Sequence, residues 1–391
     1  MGCAAVRDER PCSLRHEGMR PQRSIARAAP RAYGPAMRKT AAVFTDSYFR
    51  TADAKTAHGL VRGPSRFEVV ALLDREGAGR DAGEMLDGKV RGIPTFADLA
   101  AMLRALPRRP DCFVLGVATS GGVLPPSMRP TILAAIAAGM DVVNGLHEFL
   151  ADDAEIAAAA ARAGVKLIDV RRPLPRRELH FWTGAIRQVK ARRIAVLGTD
   201  CALGKRTTCH VLVDACTRAG IAAAIVHTGQ TGWLQGIPHG FVLDSTPNDF
   251  VSGELEHAIV QCDRELAPDV IFLEGQSALR NPSGPCGAEL VLSGEAHGVI
   301  LQHAPARHCF EDQEHLGNVI PPVTEEIALL GYYRTRVLGL TLNHAGLPAE
   351  RREPARAELQ QATGLRAVYP LLEGADALVP AIRAYLQEPR G

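Results

Sequence analysis

Short apolar runs alternate along this chain with longer segments whose apolar residues recur at helical spacing. TAAVF (40–44), RFEVVALLD (66–74), DCFVLGVA (111–118), MDVVNGL (140–146) and VKLIDV (165–170) predict strands. Between them, IPTFADLAAMLRAL (93–106, opened by Thr95), PSMRPTILAAIAAGM (126–140) and DAEIAAAAARAG (153–164) carry a helical period. Buried strands alternating with helices of about 10–15 residues predict βαβ units and a parallel sheet. The rhythm breaks at RRPLPRRELHFWTGAIRQVKARR (171–193), whose Arg and Pro content predicts a solvated linker with room for a bridging helix. It then restarts. RIAVLG (193–198), IAAAIVHTG (221–229), DVIFLEG (269–275), GVILQHA (298–304) and RVLGLTLN (336–343) read as strands. Helices are expected over 204–220, 249–266, 323–331 and 348–363. The expected fold is α/β, with two parallel-sheet domains at 37–170 and 193–391 and a linker at 171–192.

Composition narrows the function classes. At about 150 residues per domain, 391 residues suit two domains or three. Lys plus Arg is 45 against 43 Asp plus Glu, so a protein that coats nucleic acid or an anionic membrane is not expected. Aromatics at 5% favour helices packed on sheets over a β-sandwich. No apolar run reaches the length of a membrane span. The nine Cys contain no C-x-x-C pair, which predicts a reduced, cytoplasmic protein without structural zinc. Single, scattered His residues add no metal spacing, so no metal is expected. Residues 1–36 hold seven Arg and three acids with no apolar core. They read as a disordered extension, or as upstream of a true start at Met37, and not as a secretory signal. Self-association into a homo-oligomer is expected for an Ala- and Gly-rich α/β chain of this size.

The sharpest motif is GTDCALGKRTT (198–208), lying between an apolar strand and a helix. That is the setting of a phosphate-binding loop: small residues let the backbone wrap an anion, helix N-terminal amides point at it, and Lys205 adds charge. Gly198, Thr199, Asp200, Gly204, Lys205, Arg206, Thr207 and Thr208 are the candidate ligand-binding residues. Two departures matter. Five residues, not four, separate the glycines, and Arg206 stands where Ser or Thr would hold Mg²⁺. A cation there opposes a metal. The loop therefore suits a pyrophosphate such as that of coenzyme A better than metal-assisted phosphoryl transfer.

Gly-Thr-Asp-x-x-x-Gly-Lys resembles the loop of dethiobiotin synthetase-type P-loop proteins. Glu274-Gly275 at a strand end is similar to that group's magnesium-approaching segment, and Asn343 to its base-reading Asn. By the residues alone, Glu274 could equally cap a strand and Asn343 a turn. A broader resemblance runs through DAKTAHGLVRG (53–63), LLDREGAGRDAGEMLDGKVRGIP (72–94), ATSGG (118–122), AAGMDVVNGLHEFLADD (137–153), the loop at 198–208, HTGQTGW (227–233), NDFVSGELE (248–256) and LEGQSAL (273–279). By these segments the chain is identified as a member of a bacterial and archaeal family long described only as a domain of unknown function. The resemblance implies a Rossmann-like N-terminal domain and a P-loop NTPase-like C-terminal domain. Members have been assigned as D-glutamate N-acetyltransferases. The resemblance thus implies acetyl-CoA as co-substrate and an acidic amino acid as small-molecule substrate.

On that reading Glu274, Asp249 or His227 takes a proton from the substrate amine; the sequence leaves the choice open, and Asp249 could instead cap a helix. Gln230, Gln276 and Arg280 are the candidate substrate contacts, Arg280 as the carboxylate partner. Asp74 closes a strand as a ribose-binding acid would, but no G-x-G-x-x-G precedes it, so NAD is not expected. Two alternatives remain open. One is an ATP-dependent enzyme with Mg²⁺ on Glu274 and Thr207; the other is a regulator that binds a nucleotide or coenzyme A without catalysis.

Overall fold

A computed structural model describes residues 38–389; the Arg-rich segment 1–36 lies outside them. The first sheet takes β1 (Thr40–Asp46), β2 (Glu68–Asp74), β3 (Thr95–Phe96), β4 (Cys112–Leu115), β5 (Asp141–Asn144) and β6 (Leu167–Asp169) in the order β3-β2-β1-β4-β5-β6. The second takes β7 (Arg192–Gly198), β8 (Ala223–His227), β9 (His239–Gly240), β10 (Val270–Glu274), β11 (Gly298–His303), β12 (Arg336–Leu342) and β13 (Ala367–Val368) in the order β13-β12-β11-β7-β10-β8-β9. Every pairing within the two sheets is parallel. Parallel strands covered on both faces must be apolar throughout, and β10, with all five residues buried, shows it. Each sheet accordingly has two apolar cores, one per face.

Two local expectations change. The segment 93–106 is not one helix: Thr95 and Phe96 pair with Leu72 and Leu73 as an edge strand, and the helix Leu99–Ala105 starts after Asp98, whose carboxylate accepts from the Ala101 amide at 2.7 Å. The Gly-rich stretch after β8 includes a short helix, Gln230–Leu234, before β9.

The Arg- and Pro-rich segment forms no bridging helix, only two short 3₁₀ turns, Arg176–Glu178 and Ala185–Gln188; residues 172–178 are exposed, and from His180 onward the backbone is tied down. Carboxylates of the helix Asn248–Leu266 hold it: Glu254 accepts from the His180 amide (2.8 Å), Glu256 from the Thr183 and Ile186 amides (2.7 and 3.1 Å), and Asp263 from the Ala191 amide (2.8 Å). Sequence patterning registers the Arg content but not the distant carboxylates that capture the backbone.

In the second sheet the first strand, β7, lies between β11 and β10, so the chain leaves it in opposite directions along the sheet. Ligands of open α/β sheets sit beyond strand carboxyl ends at such a switch point. Here the loop 198–204 occupies that position.

Candidate functional site at the domain junction

The loop rises from β7 and ends at Gly204, whose φ of 95° is a left-handed conformation that favours glycine. From there the helix Lys205–Arg218 begins. Ala202 (φ 50°) and Ser277 (φ 39°) also hold left-handed conformations without being glycine. Such strain costs about 1–3 kcal/mol per residue and collects at functional sites.

Much of the candidate loop chemistry builds the loop itself. The Asp200 carboxylate is wholly buried and takes hydrogen bonds from Asn281 Nδ2 (2.9 Å), Arg307 (2.8 Å) and the Glu311 amide (2.8 Å). Thr199 Oγ1 meets His303 Nδ1 at 2.9 Å. Thr208 Oγ1 donates to Gln302 Oε1 (2.8 Å), and Gln302 Nε2 donates to the Leu203 carbonyl (2.6 Å). Asn343 Nδ2 donates to the same carbonyl at 3.0 Å. Arg307, Asn281 and Gln302 were not singled out by the sequence reading. They lie on or just past β10 and β11, where the strand-end rule would have directed attention.

Lys205 is buried, and its Nζ donates to the carbonyls of Asp200 (2.7 Å) and Ser277 (2.8 Å). Burial pulls its pKa down, while Cys201, Asp200, Cys286 and Glu274 support its charge. Arg206 behaves differently. It is half-buried, its Nε is closed off from solvent without a partner, and among the described residues it makes neither a hydrogen bond nor an ion pair. Its side chain leaves the loop and crosses to the first domain: a Cβ on Gly59 would stand 3.1 Å from Arg206 Nη2. Gly59 lies in the helix Lys55–Arg62, and its carbonyl accepts from Gln235 Nε2 at 3.0 Å. Arg66 Nε adds a cross-domain bond to the Trp233 carbonyl at 2.8 Å. The bare Gly59 surface is what lets the two domains meet around the guanidinium.

Glu274 ends β10, one strand away from the loop strand, in register with Val196. Its Oε2 accepts only a long bond from the Thr228 amide, 3.2 Å. Burial raises its carboxyl above the usual range against the pull of Arg206, the Thr228 amide and Lys205, while Asp244 adds to the rise. A buried carboxylate with a raised proton affinity, flanked by two cations, is suited to accepting a proton at neutral pH.

The other candidates divide. His227 is buried, its Nδ1 lies 3.1 Å from the Gly229 carbonyl, and burial drives its pKa to about 4, so the ring is neutral near pH 7. Asp249 is exposed in the first turn of the helix Asn248–Leu266, where Pro247 holds the capping position. Gln276 Nε2 donates to the Thr228 carbonyl at 2.7 Å, beside Glu274. Gln230 is buried, and its Cγ would lie 3.1 Å from a Cβ on Gly145 of the first domain. Arg280 is engaged by Glu326 (2.7 Å) and Glu325 (3.0 Å). The structure thus brings Lys205, Arg206, Glu274 and Gln276 together at the domain junction and leaves Asp249 at the surface.

No helix among the described residues is long and apolar enough to cross a membrane. Residues 180–379 match the P-loop domain of the DUF1611 family, a domain of unknown function, and residues 75–173 match that family's Rossmann-like N-terminal domain. The chain is similar to a solved DUF1611 family protein from Anabaena variabilis, with a TM-score of 0.80 and 29% identity over 88% of this chain and 99% of that one. It is 30% identical over 277 residues to a D-glutamate N-acetyltransferase of a Pseudoalteromonas species, covering 68% of this chain and 80% of the relative. A D-glutamate N-acetyltransferase of Tritonibacter scottomollicae is 30% identical over 283 residues, covering 69% of this chain and 80% of the relative. With both domains matched in order and the whole architecture shared, the chain belongs to the DUF1611 family.

Proposed function

We propose that this protein is an N-acetyltransferase that moves the acetyl group of acetyl-CoA to the amino group of an acidic amino acid, D-glutamate in the first instance. The names carried by its relatives support the reaction class and the substrate. The observation that carries the proposal is the buried Glu274 carboxyl, which faces two cations just beyond a phosphate loop.

The loop fits a pyrophosphate. A phosphate oxygen offers the buried Lys205 ammonium a charged acceptor in place of two carbonyls, and the amides that open the helix Lys205–Arg218 lie beside it. Mg²⁺ of the NTPase kind does not fit, because a guanidinium replaces the hydroxyl that would hold it. Acetyl-CoA, when bound, supplies the pyrophosphate and a thioester carbonyl. Glu274 takes one proton from the substrate ammonium. The freed amine forms the C–N bond to the acetyl carbon, the C–S bond breaks, and the second proton that the nitrogen sheds passes to the departing thiolate. Gln276, fixed on the Thr228 carbonyl, borders the same carboxylate.

Thermal shifts with acetyl-CoA and with Mg·ATP, followed by acetyl-transfer assays on D- and L-glutamate, test the reading. Stabilisation by acetyl-CoA and transfer to glutamate are expected. Stabilisation by Mg·ATP alone, with phosphate release, overturns it in favour of a phosphoryl-transfer enzyme. Lys205→Ala is expected to weaken acetyl-CoA binding about 100-fold, by loss of a buried charge-assisted contact.

A further inference from the structure

Arg206 is a half-buried cation whose enclosed Nε has no partner, and a protein gains little in stability from such a group. Taking a charge out of water is unfavourable unless an opposite charge meets it. In this site the natural partner stays apart: no ion pair joins Arg206 to Glu274 among the described residues, although each acts on the other's ionisation. A cation and an anion thus act on each other without closing into an ion pair, and the segment from Gly229 to Thr231 runs past both: a Cβ on Gly229 would stand 3.8 Å from Glu274 Oε1, and Thr231 Cγ2 lies beside the guanidinium at Gly59. The guanidinium abuts the first domain at Gly59, where any side chain would crowd it, with Thr231 Cγ2 3.2 Å from the same point. The other arginine able to meet a carboxylate near this strand, Arg280, is already neutralised by Glu325 and Glu326.

We propose that Arg206 is the carboxylate-binding residue of the amino-acid site, and that Arg206 and Glu274 together take an amino acid as a zwitterion, carboxylate to Arg206 and ammonium to Glu274. The proposal rests on the acetyltransferase reading and deepens it. It moves Arg206 from the co-substrate phosphates, which Lys205 and the loop amides serve, to the acceptor substrate. It also gives the first domain a role in the site, because the surface of the helix Lys55–Arg62 sets how far the guanidinium reaches. An amine without a carboxylate would leave Arg206 unpaired, so it is rejected.

The test separates the two substrates. Arg206→Met is expected to raise KM for D-glutamate about 100-fold, the loss of a charge-assisted pair, and to leave KM for acetyl-CoA within about threefold. Arg206→Lys keeps the charge without the fork and is expected to recover part of the loss. Gly59→Ala, which pushes on the guanidinium from the other domain, is expected to raise KM for D-glutamate several-fold, with acetyl-CoA again unaffected. A rise in KM for acetyl-CoA in place of D-glutamate overturns the proposal and returns Arg206 to the phosphates. Calorimetry of D-glutamate binding in the presence of coenzyme A, on wild type and Arg206→Met, needs no turnover. Binding by wild type that Arg206→Met lacks supports the proposal even if no acetyl transfer is found, in which case the acetyltransferase reading alone fails. Equal binding by both proteins overturns the Arg206 assignment while leaving that reading intact.

Discussion

Asp74 and Glu274 close strands in the two parallel sheets, and each is buried beside a strand that opens its domain. Asp74 is saturated. It accepts from Thr45 Oγ1 (2.9 Å) and from the Phe49 and Gly77 amides (3.0 Å each), so its carboxylate pins the loops after β1 and β2. Glu274 has one long amide contact and two cations that do not close on it. Burial alone does not tell a structural acid from a working one; the number of donors already spent on it does. By the same measure Arg280 is a structural cation and Arg206 a free one.

The comparison breaks first at Glu274. Glu274→Gln is expected to lower kcat about 100- to 1,000-fold, the usual worth of a general base, without loss of the fold. The wild-type rate should fall as pH drops through a pKa above the ordinary carboxylate range, because the carboxylate must be ionised to take the proton and burial raises its pKa against Arg206, the Thr228 amide and Lys205. The acidic limb should vanish in the variant; a pH profile identical to wild type would remove Glu274 from the chemistry.

The domains should also separate in acid. His227, His210 and His303, all in the second domain, are pushed by burial to about 4. Their depressed folded pKa means that the unfolded chain binds protons more readily, so stability is present above about 6.5 and is lost as pH falls toward 4, on the order of 3 kcal/mol for each ring. In the first domain Asp153, held to about 2 mainly by its hydrogen bond from Arg129, loses its contribution only below the usual carboxylate range. Urea unfolding at pH 7 and pH 5, followed by hydrogen exchange, should show the second domain weakening first.

Asp74→Asn is expected to cost about 2 kcal/mol of stability, because a buried amide group cannot accept from all three donors. Its activity per folded molecule should match wild type, the reverse of Glu274→Gln. The smallest effect belongs to Arg280→Ala. Its KM for D-glutamate should stay within about threefold of wild type, measured beside Arg206→Met; a loss as large as that of Arg206 would erase the distinction between the two arginines.

The architecture was legible because parallel strands buried on both faces are written as continuous apolar runs. The ten longer strands announce themselves in this way. β3, β9 and β13 do not, since two residues at a sheet edge have no pattern to show. At the site, the phosphate loop was legible from its glycines and Lys205, and Glu274 from its place after an apolar strand. Gly59 was not: its meaning depends on a guanidinium 147 positions later in the chain. Nor was the commitment of Arg280, because the acids that neutralise it lie on a later helix, Val323–Tyr332.

The segment between the sheets carries a practical lesson for dissecting the molecule. Three acids of one helix clasp its backbone, so the stretch from His180 to Ala191 is fastened to the second sheet's helical layer. Cutting the chain at Arg192 would strip Glu254, Glu256 and Asp263 of donors they hold in the intact protein. A cut just ahead of Arg176 keeps that clasp whole, and it is there that the second half can be asked to stand alone.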